Sequence, residues 1–374
     1  MIYADNAATT KVSDSALERM LPFLQEHYGN ASSQYSFGIK AKRAIEQARQ
    51  QVATAIGAEP DEIVFTSGGS ESNSWVLSSV VSGHVITSSI EHHSLLNSCY
   101  ALERKGIDVT YLPVDKTGLI SATSVKKAIR PDTKLVSIML ANNEIGTIQP
   151  IIELGPYLRE RNIIFHTDAV QAVGHIPVNV KELGVDLLSA SAHKFNGAKG
   201  TGILYKQKNL SLPSLIFGGE QERGARAGTE NVAGIVAAGY ALEESIVDMY
   251  ATTDKLTALV RATVDGISTK IPNITINGDR NKCLPGIVNI LFEGITGESL
   301  MHLLDLKGIC VSTSSACASG KNEASHVLRA LGLSEQQAKS AIRISYGRYN
   351  TMHDVNAIVA GICDAYMKIT AVKS

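Results

Sequence analysis

An α/β architecture is predicted: a large domain with a mostly parallel seven-stranded sheet covered by helices, joined to a smaller α+β domain. Three features of the 374-residue sequence predict it. Short apolar runs alternate with helix-length amphipathic segments, the rhythm of strand–helix–strand crossovers. The runs are apolar throughout rather than alternating, as strands covered on both faces should be. After Tyr205 the rhythm changes, and shorter strands mix with helices.

In chain order, the expected strands of the large sheet are Ile63–Thr66, His84–Thr87, Val109–Leu112, Leu135–Leu140, Ile163–Thr167, Leu187–Ala190 and Gly202–Tyr205. Lys40–Ile56, Glu71–Val81, Ser94–Lys105 and Ile152–Arg161 carry apolar residues at helical spacing. Phe217–Thr229, rich in Gly and Arg, reads as a long loop, and helical patterns return over Val232–Asp248 and Thr253–Thr269. Beyond Ile274, strands at Gly286–Leu291 and Ala341–Ser345 combine with helices at Glu298–Leu306, Ser325–Leu331 and Asp354–Met367. The expected division places residues 14–255 in the large domain, and residues 1–13 with 256–374 in the small one.

Lys+Arg 35 against Asp+Glu 36 gives a net charge of −1, which argues against a module with a broad basic face for nucleic acid. Aromatics at 5% make few stacking platforms for single strands. No apolar run approaches the ~18 residues of a membrane span, and no signal peptide is visible. Cys99, Cys283, Cys310, Cys317 and Cys363 are scattered and odd in number, which fits reduced thiols and a cytoplasmic location. G-x-G-x-x-G after the first strand, the P-loop pattern and C-x-x-C are all missing, and no metal site is expected. His92 and His93, read as extended chain, should point to opposite sides.

Several polar clusters stand at strand ends, where open parallel sheets place ligands. Ser67-Gly68-Gly69-Ser70-Glu71 opens a helix; its glycines and free N–H groups suit a phosphate, with a plain turn capped by Ser70 as the alternative. Asp168 ends an apolar strand, where a carboxylate wants a cation or donors; a helix cap is the alternative. Lys194 follows another strand, and an amine in an apolar setting becomes a usable nucleophile. Lys199 is its rival, and a snorkelling surface lysine is the alternative reading. Asn143 follows a strand too, and Glu91-His92-His93 makes a further cluster in which His92 could stack on a planar ligand. Cys317, among small residues, suits an accessible loop thiol or else a small buried hydrophobe. Arg343 sits inside an apolar strand and wants a bidentate anion, either a substrate carboxylate or a structural acid.

Together these segments resemble the cysteine desulfurase family, within the class V aminotransferase group of fold-type I pyridoxal-phosphate enzymes. The matching stretches are Tyr3–Thr10, Thr66–Asn73, Ile90–His92, Asn142–Gly146, His166–Gln171, Ser191–Lys194, Arg226–Thr229, Ser315–Cys317 and Ile342–Arg348, in the family's order. The resemblance implies that Lys194 holds pyridoxal 5'-phosphate covalently, Asp168 partners its ring nitrogen and Gln171 its phenolic oxygen. It implies that His92 stacks on the ring and carries protons, and that Gly69, Ser70, Ser191 and His193 bind the phosphate. Thr229 is implied to reach the phosphate of a neighbouring subunit, hence a homodimer with shared sites. Asn143 and Arg343 are implied to hold substrate, with Arg343 on the α-carboxylate and Asn143 also among the cofactor-binding residues. The large domain then binds the cofactor, and the small one carries the catalytic cysteine.

The implied reaction removes sulfur from L-cysteine, giving L-alanine and a persulfide on Cys317. The sulfur would pass to an iron–sulfur cluster assembly scaffold or a tRNA-thiolation protein; neither a membrane nor direct nucleic-acid contact is expected. Gly29–Tyr35 departs from the family's G-N-P-S-S-x-H in lacking the proline and the histidine. Two other readings stand beside this one. A selenocysteine lyase or other class V lyase would share the cofactor, and a non-catalytic dimeric scaffold would have no use for Lys194, Asp168 and Cys317 together.

Overall fold

The structure, a computed structural model, describes residues 1–313 and 324–371. Its strands are β1 (Ile2–Tyr3), β2 (Ile63–Thr66), β3 (His84–Ser88), β4 (Asp108–Leu112), β5 (Thr133–Ser137), β6 (Ile164–Asp168), β7 (Leu187–Ser191), β8 (Gly202–Lys206), β9 (Ile274–Asn277), β10 (Ile287–Phe292), β11 (Ile309–Cys310), β12 (Ser312–Thr313) and β13 (Ala341–Ser345). The expected seven strands form one sheet in the order β2-β8-β7-β6-β5-β3-β4. All pairings are parallel except those of β8, which runs against both β2 and β7. The chain therefore leaves β2, β3, β5, β6 and β7 on the same edge of the sheet.

Strands covered on both faces can carry polar residues only where cross-strand partners satisfy them. In β6 the buried His166 ring lies between Ser137 Oγ at 2.7 Å on β5 and Ser189 Oγ at 3.0 Å on β7. Burial pushes its pKa down to about 3, so the ring is a neutral cross-strand tie.

Helices cover the sheet, among them α1 (Asp14–Met20), α2 (Pro22–Gln25), α3 (Ser36–Ile56), α4 (Gly69–Ser78) and α5 (His93–Glu103). Most sequence-based boundaries shift by a few residues, and two elements change more. The strand expected over Leu135–Leu140 begins at Thr133 and ends at Ser137, because the chain bends beyond it to carry Asn142 and Asn143. The helix expected over Ile152–Arg161 divides into a 3-10 turn, Ile151–Glu153, and a short helix, Gly155–Arg159. Pro156 near the start of the second piece has no N–H to continue the first.

In the C-terminal part, β12-β13-β10-β9 form a four-stranded antiparallel sheet, with β1 paired to β11 in a small parallel ribbon. Strands β9, β11 and β12 were not expected from the sequence. Ile290, Phe292, Ile342 and Ile344 of this sheet pack with Leu300, Leu304, Ile358 and Ile362 from flanking helices. The N-terminal segment is tied to the same sheet: Ala4 joins its core, and Asn6 Nδ2 donates to the Ser345 carbonyl at 3.0 Å. Among the described residues no helix is long and apolar enough to cross a membrane.

The loop expected over Phe217–Thr229 is fastened to the core by a buried ion pair. Arg49 of α3 donates from Nη1 and Nη2 to the two oxygens of Glu222, at 2.8 and 2.9 Å, and Glu222 also accepts from the Phe65 N–H. Glu222 and Arg223 both hold positive φ, 47° and 58°, a strain the ion pair must sustain. Glu222→Ala should lower unfolding stability by about 3–5 kcal/mol in urea titrations, since it strands a buried guanidinium. Replacing both partners with apolar residues should recover much of that loss.

Candidate active site

The shared edge of the large sheet opens on a cavity of about 250 Å³. Gly69, Ser70, His92, Asn143, Asp168, Gln171, Ser191, His193, Lys194 and Arg343 all line it. They arrive from five places where strands end: Gly69 and Ser70 after β2, His92 after β3, Asn143 after β5, Asp168 and Gln171 at the end of β6, and Ser191, His193 and Lys194 at the end of β7; Arg343 projects from β13.

At one end, β2 runs into α4. The N-cap is Gly68, so Ser70 lies in the first turn and is not the cap. A Cβ at Gly69 would come 2.5 Å from Val170 Cγ2, so the loops after β2 and β6 meet only because that residue has no side chain. The free N–H groups of this ten-residue helix, with Ser191 and His193 on the cavity wall, make a cradle for an anion. His193 is held neutral, burial pushing its pKa down to about 4, and its Nδ1 lies 3.1 Å from Thr9 Oγ1.

Asp168 ends β6 inside the cavity and is 4% exposed. Its Oδ1 accepts from the Val170 N–H at 3.0 Å, and its Oδ2 accepts from Asn73 Nδ2 at 2.6 Å. The helix-cap reading does not hold, because a turn and not a helix follows. Lys194 closes a 3-10 turn after β7, and its Nζ donates to the carbonyls of Ala7 and Ala8 at 2.6 and 2.8 Å. Ala7 O also accepts from Gln171 Nε2 at 2.9 Å. Lys199, the rival amine, is exposed and outside the cavity.

His92 and His93 are not in extended chain: His92 caps α5 and His93 begins it. The side chains diverge, His92 lining the cavity and His93 packing on His326 with ring centroids 4.6 Å apart. Burial lowers the His92 pKa; Asp168 opposes that shift, and Lys194 adds to it.

Arg343 donates from Nη2 to Asp5 Oδ1 at 2.6 Å and from Nη1 to the Asn143 carbonyl at 2.9 Å, while its buried Nε has no hydrogen-bond partner among the described residues. The structural acid and the cavity-facing guanidinium thus coexist. Thr229 stands apart, in a separate recess with Ser67 and Arg226. Cys317 lies outside the described residues. The chain resumes beside the cavity, where Ser325 Oγ donates to the buried Glu144 carboxyl and His326 Nε2 donates to the Glu91 carbonyl.

Sequence reasoning missed Asn73, Ser94 and the carbonyls of Ala7 and Ala8 on this wall, and Asp5 behind it. Asn73 was inside a quoted motif, and its place one turn into a helix from the glycines was the available signal.

The donor set fits a phosphorylated pyridine aldehyde: a helix N-terminus with Ser191 and His193 beside it for the phosphate, a buried carboxylate for a ring nitrogen and an amine for the aldehyde carbon. Such a constellation on this fold defines a pyridoxal-phosphate-dependent enzyme. The chain belongs to the Aminotransferase class-V family, matched over residues 2–358, and within it to the cysteine desulfurases. It is 49% identical over 361 residues to Cysteine desulfurase IscS of Dictyoglomus turgidum, covering 95% of this chain and 92% of that one. A solved NifS-like protein superposes with a TM-score of 0.92 at 39% identity, covering 98% of this chain and 99% of that one. A structure described as SspA in complex with cysteine superposes at 0.83 with 38% identity, covering 94% and 100%.

Glu91 supplies a pH test of the wall behind His92. Its buried carboxyl accepts from Ser88 Oγ at 2.5 Å and from the Met139 N–H at 3.0 Å. Burial raises its pKa from 4.5 to about 8. Between those values the folded state holds a proton that the unfolded state has released, so this group's contribution to stability falls as pH rises. Glu91→Gln should therefore lose less stability than the parent between pH 5 and pH 8 in urea titrations.

Proposed function

We propose that this chain takes sulfur from L-cysteine, releases L-alanine and leaves a persulfide on Cys317 for transfer to an acceptor protein. The observation that carries the reading is the convergence of Lys194, Asp168, His92 and Arg343 on one cavity. The relatives support it: one is named a cysteine desulfurase, and another was solved with cysteine.

When bound, pyridoxal phosphate supplies an electron sink for the carbanion at the substrate Cα. Lys194 holds the group in the resting enzyme. Asp168 partners its ring nitrogen and Gln171 its phenolic oxygen, while Gly69, Ser70, Ser191 and His193 hold its phosphate. His92 covers the ring and carries protons. Arg343 takes the substrate carboxylate, and Asn143 helps hold the substrate. The Lys194 Nζ would remove the Cα proton. The Cys317 thiolate attacks the substrate sulfur; the S–S bond forms as the Cβ–S bond breaks, and the carbon fragment takes up protons to leave as alanine.

In this reading residues 14–255 bind the cofactor, and residues 1–13 with 256–374 carry the cysteine. The enzyme works in the cytoplasm as a homodimer in which Thr229, exposed in its own recess, reaches the phosphate in the neighbouring subunit. The sulfur passes to an iron–sulfur scaffold or a tRNA-thiolation protein.

Incubation with L-cysteine should add sulfur to Cys317 by intact-protein mass spectrometry, and Cys317→Ala should keep its yellow colour yet lose sulfide production. Wild-type alanine and sulfide yields from that variant with a thiol reductant would sink the assignment. Borohydride reduction followed by peptide mapping should tag Lys194; a tag on Lys199 would refute its role. Arg343→Ala should raise KM for cysteine about tenfold or more, the worth of a charge-assisted hydrogen bond, with a smaller change in kcat.

A further inference from the structure

Two polar side chains on the cavity wall have no role in the chemistry above. Asn73 is 1% exposed on α4. Ser94 lies in the first turn of α5. We propose that Asn73 and Ser94 are positioning residues that fix the His92 imidazole with its proton on Nε2, so that His92 meets the substrate as a hydrogen-bond donor.

The argument is a count of donors and acceptors, starting at Asp168. A carboxylate oxygen can only accept, so the Asn73 amide must present Nδ2 to it. The contact is 2.6 Å, from Nδ2 to Asp168 Oδ2. The second Nδ2 proton points to Ser94 Oγ at 3.0 Å. That hydroxyl, having accepted, still has its own proton to give, and His92 Nδ1 lies 2.9 Å away. The Ser94 backbone N–H donates to the same nitrogen at 3.1 Å, because His92 is the N-cap of α5. Two donors thus converge on Nδ1, which must bear a lone pair, and the ring proton is left on Nε2.

Asn73 Oδ1 supports this direction. It is buried with no hydrogen-bond partner among the described residues. A buried amide oxygen left unpaired costs free energy. Turning the amide over would set that oxygen against the carboxylate oxygen of Asp168, which is worse. The orientation is imposed by the acid and transmitted through the serine to the imidazole.

The chemical consequence divides labour in the cavity. With its Nδ1 lone pair engaged, the resting His92 offers N–H and not a basic site. Proton abstraction then falls to Lys194, and His92 donates to an electron-rich atom of the substrate. This assignment of work rests on the desulfurase reading; the tautomer itself does not.

The test uses the resting holoenzyme with 15N-labelled imidazoles, without cysteine. NMR should show His92 neutral near pH 7, with the proton on Nε2 and the lone pair on Nδ1. Ser94→Ala removes one of the donors that favour the neutral ring, so the His92 pKa should rise. Ser94→Thr, which keeps the hydroxyl, should restore it. Asn73→Ala should raise the pKa as well, by freeing the serine. In steady-state assays Ser94→Ala should lower kcat about three- to tenfold, the worth of one hydrogen bond, and move the acid limb of the pH profile upward. A parent His92 protonated on Nδ1, or a pKa unchanged in both Ser94→Ala and Asn73→Ala, overturns the proposal. If Asn73→Ala does not fold, Ser94→Ala alone decides. Loss of the desulfurase reading would leave the tautomer measurement standing, and an Nδ1-protonated ring would leave the desulfurase reading standing.

Discussion

A carboxylate inside a protein must be compensated, and much of the cavity wall is arranged around that of Asp168. It sits where a central parallel strand ends, with the dry core of the sheet behind it. Donors from the Val170 backbone and the Asn73 side chain meet its two oxygens. The group it faces in the working enzyme must be a cation or a donor, because a buried charge left half-satisfied would cost several kcal/mol. This one electrostatic demand explains why a helix beginning with two glycines packs so closely against the turn after β6. That approach brings Asn73 to the acid and the anion cradle to the other end of the same cavity.

Direction of the strands does the rest. Because β2, β3, β5, β6 and β7 run the same way, their following turns crowd together without any strand having to end early. Each turn contributes one kind of group: the cradle, the imidazole, the amide loop, the acid and the amine. The C-terminal sheet closes the cavity from the far side by sending in Arg343, itself held by Asp5 from the N-terminal segment. The opposing charges of that pair sit at the cavity wall, where Asp5 takes up part of the Arg343 donor capacity.

How much of this could be read in advance depended on the range of the interaction. Central strands such as β6 and β7 were legible because burial on both faces leaves an unbroken apolar run. Short strands such as β1 and β11 were not, because nothing in two residues signals a partner hundreds of positions away. Asp168 stood out as an acid at the end of an apolar run. Spacing alone left Lys194 and Lys199 both open, since both follow the same strand, and family likeness chose Lys194; the turn Ala192–Lys194 faces it inward. Asn73 and Ser94 looked like ordinary helix residues. Their meaning comes from where a neighbouring helix and a distant strand end, which no local pattern encodes. Cys317 was named from its surroundings of small residues and from family likeness, and it lies outside the described residues.

The threading of the N-terminal segment carries a consequence for biosynthesis. Ala7 and Ala8 receive the Lys194 amine, and Asn6 hydrogen-bonds to Ser345, a residue 339 positions further on. As the chain emerges from the ribosome, Ala8, Thr9 and Thr10 find His193 and Lys194 when about half of it has been made, whereas Asp5 and Asn6 wait for Arg343 and Ser345 near its end. The seven-stranded sheet can assemble beforehand, yet one wall of the cavity waits for the end of translation. Capture of the vitamin B6 group in its final setting is therefore a late event in the life of this protein.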